Sequence, residues 1–150
     1  MTATFSSPDG AVFSVAASFF SGLTGRVLLD NDLPLHALVI GFSSSSTYIS
    51  MNFAVNGTPT NTFTMQAFSG GVGGSLVGTV ITTGSIPAGF TFPEGRITFS
   101  GLAFDTVRLT SNAQDFAIDN VLLTPEPASV GFVFLGLTAS MALARRRKRI

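Results

Sequence analysis

The sequence predicts an all-β fold, an antiparallel β-sandwich of jelly-roll-like type, followed by a single C-terminal transmembrane helix. Two observations predict the sandwich: short segments in which apolar and polar residues alternate, and turns rich in Gly, Pro, Asn and Ser between them. A third observation predicts the helix, because an uncharged apolar run precedes a basic end. The chain of 150 residues therefore divides into a domain over residues 1–123 and a tail over residues 124–150.

The positions of the strands are predicted from segments in which apolar and polar residues alternate with a period of two. Residues 47–55 show it most clearly, because every second residue from Ile49 to Val55 is apolar. The Asn56-Gly57 pair that follows is a strong turn signal, since both residues accept positive φ. We predict no helix before the tail. The predicted strands, in chain order, are residues 11–20, 26–29, 37–42, 47–55, 62–68, 76–82, 96–99, 104–109 and 116–123.

Composition excludes several classes of function. Residues 1–124 hold three basic and seven acidic side chains, a net charge of −4. Nucleic-acid binding requires a basic surface, so we expect none. The chain has no Cys, which rules out disulfides and thiolate chemistry. Stability must come from the core, and 13 of the 15 Phe residues precede the tail.

The tail has the properties of a membrane span. Residues 128–144 carry no charge and would form a helix of about 26 Å, against a hydrocarbon core of about 30 Å. Apolar side chains surround the helix axis, which favours lipid on all sides. Clustered basic residues stay on the cytoplasmic side of a membrane, so the domain is predicted to be extracytoplasmic and residues 145–150 cytoplasmic. The basic cluster consists of Arg145, Arg146, Arg147, Lys148 and Arg149.

Pro125, Glu126 and Pro127 stand directly before the apolar run. This order of Pro-Glu-Pro, apolar helix and Arg-rich end resembles the PEP-CTERM sorting signal of Gram-negative, exopolysaccharide-producing bacteria, also catalogued as the "ice-binding protein C-terminal" motif. Thr124 departs from the family, in which an aliphatic residue often precedes the motif. The resemblance implies export, recognition by a membrane protease of the exosortase type, removal of the helix, and release or attachment at the cell surface. Residues 104–127 also look like the final strands of β-sandwich domains that precede this signal.

An exported protein requires an N-terminal targeting signal. Residues 1–10 have no positive segment and contain Asp9, and serines interrupt the apolar residues 11–20. We therefore expect the N-terminus of this sequence to be incomplete.

Enzyme signatures are weak. His36 is the sole histidine and no G-x-S-x-G elbow accompanies any serine, so a Ser-His-Asp arrangement is not indicated. A lone His that follows Pro34 and Leu35 is typical of a loop. The glycine cluster at residues 69–75 lacks the Lys-Ser/Thr pair of a phosphate loop. Paired carboxylates could hydrolyse glycosides, but turns and strand ends explain the positions of all the acids. We expect no catalysis.

Calcium is the one cofactor that the sequence suggests. Asp30, Asn31 and Asp32 form a local cluster of oxygen ligands, although the glycine and closing Glu of an EF-hand are missing. Resemblance to jelly-roll sugar-binding domains, in which a late-strand Asp often helps to bind structural calcium, adds Asp119. The alternative for Asp119 is a hydrogen-bonded residue at a turn or strand edge.

Tyr48 is the candidate sugar contact. It is the only Tyr in a chain without Trp, and it lies on the polar face of its strand with Ser50 and Asn52. The alternative is an ordinary solvent-facing strand residue. Ice binding is not indicated, because residues 58–64 show no regular Thr-x-Thr array.

We therefore expect an exported, non-catalytic cell-surface or extracellular-matrix protein that an exosortase sorts and processes. It would be membrane-anchored first and at the cell surface or extracellular after processing. An alternative is a carbohydrate-binding module that associates with exopolysaccharide, and a third is a divergent hydrolase. The expected partners are the membrane, the sorting protease and, in the alternative, exopolysaccharide.

Overall fold

A computed structural model describes residues 1–10, 12–30 and 36–125. Eight strands form in these ranges, and every pair of neighbouring strands is antiparallel. The all-β antiparallel prediction is thereby confirmed. The strands are β1 (Ala3–Ser6), β2 (Phe13–Ala17), β3 (Arg26–Asp30), β4 (Ala37–Val55), β5 (Thr62–Ser69), β6 (Ser75–Thr83), β7 (Glu94–Ser111) and β8 (Phe116–Pro125).

Two long strands, β4 and β7, pair along both of their halves. Residues 37–41 of β4 pair with residues 106–110 of β7, and residues 48–54 pair with residues 94–100. The first half of β4 also pairs with β1, whereas its second half pairs with β8. The hydrogen-bonded order is β2-β3-β8-β4-β7-β5-β6, with β1 on β4. We call β2, β3, β8 and the 46–55 and 94–100 segments the first layer, and β1, β5, β6 and the 37–42 and 104–111 segments the second layer.

The predicted interruptions of these long strands are wrong. The serines at residues 43–46 were expected to end a strand, but β4 continues through them with shifts in register. Ser46 is fully buried, and its hydroxyl oxygen lies 2.8 Å from the Tyr48 carbonyl oxygen and 2.6 Å from the Thr124 carbonyl oxygen. A serine with its polar group satisfied inside the sheet forms a bulge rather than a turn. β7 likewise spans two predicted strands, β1 was not predicted, and the strand predicted over residues 11–20 is only Phe13–Ala17.

Aromatic rings fill the space between the layers. Phe53 of the first layer stacks on Phe63 of the second, with ring centroids 4.6 Å apart and an interplanar angle of 12°. Phe116 contacts Phe63 edge-on, with centroids 5.2 Å apart. Phe53 and Phe63 are completely buried. Such pairs contribute about 0.5–1.5 kcal/mol each beyond their burial, which strengthens a core without disulfides.

A smaller apolar cluster lies on the outer face of the first layer. Leu23 packs there against Val27, Ala54 and Ala117, all of which are buried. The loop at residues 18–25, between β2 and β3, therefore covers part of the sheet rather than extending into solvent.

The described residues contain no helix that is long and apolar enough to cross a membrane. The predicted helix over residues 128–144, the motif residues Glu126 and Pro127, and the basic cluster Arg145, Arg146, Arg147, Lys148 and Arg149 lie outside them. Pro125 is the last residue of β8.

Gly78 of β6 tests the packing between the layers. A Cβ at this position would collide with the ring of Phe99, which is buried in β7. We expect Gly78→Ala to lower the free energy of unfolding by about 1–3 kcal/mol, because the ring must leave its rotamer. Gly41→Ala is the matched control, since a Cβ there meets nothing within 4 Å and should change stability by less than about 0.5 kcal/mol. Urea unfolding measures both, and equal effects would contradict this packing.

Candidate functional site

Glu94, the first residue of β7, holds the loop at residues 18–25 in place. Its carboxylate is buried and accepts hydrogen bonds from the backbone N–H groups of Ser21, at 2.8 Å, and Gly22, at 2.5 Å. The Asn52 amide donates to the Gly22 carbonyl oxygen at 2.9 Å. Asp119 accepts from the Thr24 N–H at 2.8 Å. These bonds fix a loop whose sequence contains two glycines.

The fixed loop presents an aromatic wall. Phe19 and Phe20 lie with ring centroids 4.3 Å apart, and Phe92 contacts them at 5.9 and 5.8 Å. The Phe19 side chain is 57% exposed although it belongs to this cluster. A large exposed aromatic surface on a rigid loop is available for a ligand.

Two carboxylates face this wall. Asp30 ends β3 and is 3% exposed, and Asp115 directly precedes β8. The Asn56 amide donates to Asp115 Oδ2 at 3.0 Å, and the Asn56 N–H donates to the Asp115 carbonyl oxygen at 2.9 Å. Asp115 Oδ1 is buried and has no hydrogen-bond partner in the described part of the chain. A buried carboxylate oxygen without a donor is costly, because no hydrogen bond offsets the loss of its hydration.

Together these groups line one pocket of about 130 Å³ at the edge where β3, β8 and β4 meet. Its floor includes Ala54 and Ala117, which are direct partners on β4 and β8. Small side chains at these two adjacent positions leave the space that larger residues would fill. The pocket therefore combines an aromatic wall, two carboxylates and an amide, Asn56, around an apolar floor.

The calcium ligands suggested by the sequence do not share this pocket. Leu29 pairs with Ala117 and Leu28 pairs with Ile118. In this register Asp30 and Asp119 lie at opposite ends of the paired segment, about 10 Å apart along the strands. The Asp119 carboxylate instead accepts a hydrogen bond from the Thr24 N–H and so holds the loop at residues 18–25. Asp32 lies outside the described residues. Within residues 1–10, 12–30 and 36–125 no group of three or more His, Cys, Asp or Glu side chains is arranged to hold a metal ion.

Tyr48 lies on the same outer face as the pocket but near the middle of β4, at the start of the 46–55 segment. Val55 is seven positions further along the strand, a distance of about 23 Å. A hydrogen bond with Ser50 lowers the pKa of Tyr48, burial opposes this shift, and the positive charge of Arg96 lowers the pKa further. Tyr48 thus belongs to a polar group with Ser50 and Arg96, and it does not contribute to the aromatic pocket.

Sequence patterns missed most of the pocket. Asp30 was a candidate, but as a calcium ligand, and Asp115 resembled an ordinary turn residue. Only the pairing of β3 with β8 brings these two acids to one edge. The Phe19-Phe20 pair, next to two glycines in the same loop, was the one local signal of an exposed aromatic surface.

Comparison with known proteins supports the fold. No protein-family model matches the chain, and no curated protein matches it. Among solved structures, the chain is similar to the K2 cleaved adhesin domain of Lys-gingipain, with 16% identity over 81% of this chain and 89% of that one and a TM-score of 0.56. It is also similar to a carbohydrate-binding module with specific mannan recognition, with 12% identity over 82% of this chain and 89% of that one and a TM-score of 0.52. At these identities the similarity shows a shared β-sandwich fold.

Native-state hydrogen exchange tests the role of Glu94. Glu94→Gln replaces one acceptor oxygen by an NH₂ group, which cannot accept from Ser21 or Gly22. We expect exchange at these two amides to accelerate about tenfold or more, because hydrogen bonds to charged groups contribute about 1.5–3 kcal/mol. Asp119→Ala is the control and should accelerate exchange at Thr24 while Ser21 and Gly22 stay protected. Unchanged exchange at Ser21 and Gly22 in Glu94→Gln would refute this role.

Proposed function

We propose that the sandwich is a non-catalytic carbohydrate-binding module. The observation that carries the proposal is the pocket in which Phe19, Phe20 and Phe92 face the carboxylates of Asp30 and Asp115. The two similar solved structures, an adhesin domain and a carbohydrate-binding module, are consistent with this role but bear on the fold alone.

The aromatic wall suits one face of a sugar ring. Pyranose rings present C–H groups on their faces, and these pack on aromatic side chains with little loss of conformational entropy when the rings are already fixed. Phe19, Phe20 and Phe92 contact one another, and Glu94 fixes the loop that carries the first two. The wall is therefore preorganised for a ligand.

The carboxylates suit sugar hydroxyl groups. An ionised carboxylate is an acceptor only, so it selects ligands that donate, as hydroxyl groups do. Asn56 donates to the Oδ2 atom of Asp115, and a small rotation of this pocket-lining carboxylate would bring its unpartnered Oδ1 atom to a hydroxyl donor. Two carboxylates disfavour an anionic group in the pocket, so we assign it a neutral sugar unit.

A hydrolase is the second candidate, because two carboxylates in one pocket are what glycoside hydrolysis requires. The pocket volume of about 130 Å³ favours binding over hydrolysis, since an enzyme must hold the sugars on both sides of the scissile bond. His36, the sole histidine, lies beside Asp9 with 3.5 Å between Nδ1 and Oδ2, and it does not line the pocket.

Affinity electrophoresis in gels that contain mannan, xylan or galactan tests the binding role. We expect at least one neutral polysaccharide to retard the full chain saturably. Asp115→Asn and Phe92→Ala should each weaken the affinity about tenfold or more, because each substitution removes about 1–3 kcal/mol of binding free energy. Phe90→Ala and Tyr48→Ala are matched controls, because both residues are outside the pocket, and they should bind like the parent chain.

Absence of retardation by every polysaccharide would contradict the binding role. Loss of binding in Tyr48→Ala with normal binding in Asp115→Asn would place the binding site at Tyr48 instead of at the aromatic pocket. Release of reducing sugar that Asp115→Asn abolishes would favour the hydrolase.

We further propose that the tail acts as a PEP-CTERM sorting signal and holds this module outside the cell until an exosortase processes it. The sequence order of Pro125, Glu126 and Pro127 before an apolar run and a basic cluster supports this proposal. Pro125, at the end of β8, still pairs with Ser46 of β4. The motif would therefore begin at the edge of the folded domain, without an intervening linker.

The intact mass of the protein from its native host tests the sorting proposal, with cells that lack the sorting protease as the control. We expect a mature chain that ends near Pro127 only when the protease is present. A chain that retains residues 145–150 in both kinds of cell would indicate a plain tail-anchored protein and would end the proposal.

A further inference from the structure

Arg108 occupies the centre of the outer face of the second layer, on the opposite side of the sandwich from the aromatic pocket. It lies on β7 between Val107 and Leu109, which are completely buried in the core, so its side chain points outward. Its direct partners on the neighbouring strands are Val39 of β4 and Gln66 of β5. A charged residue in the middle of a five-stranded layer requires an explanation.

The guanidinium group of Arg108 is incompletely satisfied. Its Nε atom is buried and has no hydrogen-bond partner among the described residues, and no described carboxylate forms an ion pair with it. The two other arginines of the domain are engaged, because Arg26 donates to the Val15 carbonyl oxygen at 3.3 Å and Arg96 donates to Ser50 Oγ at 2.7 Å. The Nη groups of Arg108 are not among the buried unpartnered atoms, and no described residue accepts a hydrogen bond from them, so an acceptor from solvent can reach these donors.

The surface around Arg108 is polar but carries no competing acid at the described positions that share this face. Asp105, the nearest acid along β7, is already engaged by the Gly70 and Gly71 N–H groups, at 2.8 and 2.9 Å, and by Thr106. Burial alone would raise the pKa of Asp105, but these hydrogen bonds outweigh it and lower the pKa. Hydroxyl and amide groups surround Arg108 instead, from Thr64, Gln66, Thr79 and Thr110.

We propose that Arg108 and Gln66 form a second binding site, for the carboxylate group of an acidic sugar such as a uronate unit. The two Nη groups at the end of the side chain match the two oxygens of a carboxylate, and this bidentate pair uses donors that no described residue occupies. Gln66 and Thr110 then offer donors and acceptors to the ring hydroxyls beside the carboxylate. The site stands independently of the aromatic pocket, because the two lie on opposite faces.

Isothermal titration of the full chain with tetragalacturonate and with its methyl ester tests the site. The ester keeps every hydroxyl group and removes only the charged carboxylates, so we expect it to bind at least tenfold more weakly. Arg108→Gln should lose binding of the acid by a similar factor, and Arg108→Lys should lose most of it, since an ammonium group lacks the fork. Arg26→Gln is the matched control for net charge and should stay within about twofold of the parent chain.

Equal affinity for the acid and the ester, or no binding of the acid, would overturn the proposal even if Arg108→Gln failed to fold. An equal loss in Arg26→Gln and Arg108→Gln would also overturn it, because the effect would then be one of general charge. Asp115→Asn should leave binding of tetragalacturonate unchanged, which separates this site from the aromatic pocket.

Discussion

The pairing of β4 with β7 along both of their halves is the interaction on which the rest of the structure depends. These two strands run through both layers, so their hydrogen bonds join the layers into one continuous sheet without a disulfide. The stacked rings of Phe53 and Phe63 then close the space between the layers. A chain with no Cys has no covalent crosslink to replace these contacts, so its stability rests on them.

The aromatic pocket follows from where these strands begin and end. Glu94 opens β7 and fixes the loop at residues 18–25, while Ala54 lies near the end of β4 and provides part of the floor. Asp30 and Asp115 reach the same edge because β3 pairs with β8. The ends of rigid strands thus bring together groups that are distant in the chain.

Sequence patterns predicted the fold class and most strands. In residues 47–55 and 62–68 every second residue is apolar, and the sheet buries these apolar residues. They failed where tertiary contacts override local signals. The serines near Ser46 have the composition of a turn, yet the buried Ser46 hydroxyl lies within hydrogen-bond distance of the carbonyl oxygens of Tyr48 and Thr124, and the strand continues. The site was less predictable than the fold, because the roles of Asp115 and Glu94 depend on partners that are distant in sequence. Tyr48 was chosen for its residue type and its position on the polar face of its strand, and neither property carries information about the pocket.

The central claim is that the aromatic pocket is the sugar site of this domain. Amide chemical-shift mapping by NMR, during titration with a neutral oligosaccharide that the protein binds, tests it most directly. The account predicts that the largest shifts cluster at Phe19, Phe20, Asn56, Phe92 and Asp115. Shifts centred on Tyr48 and Thr98, or spread evenly over both layers, would contradict it.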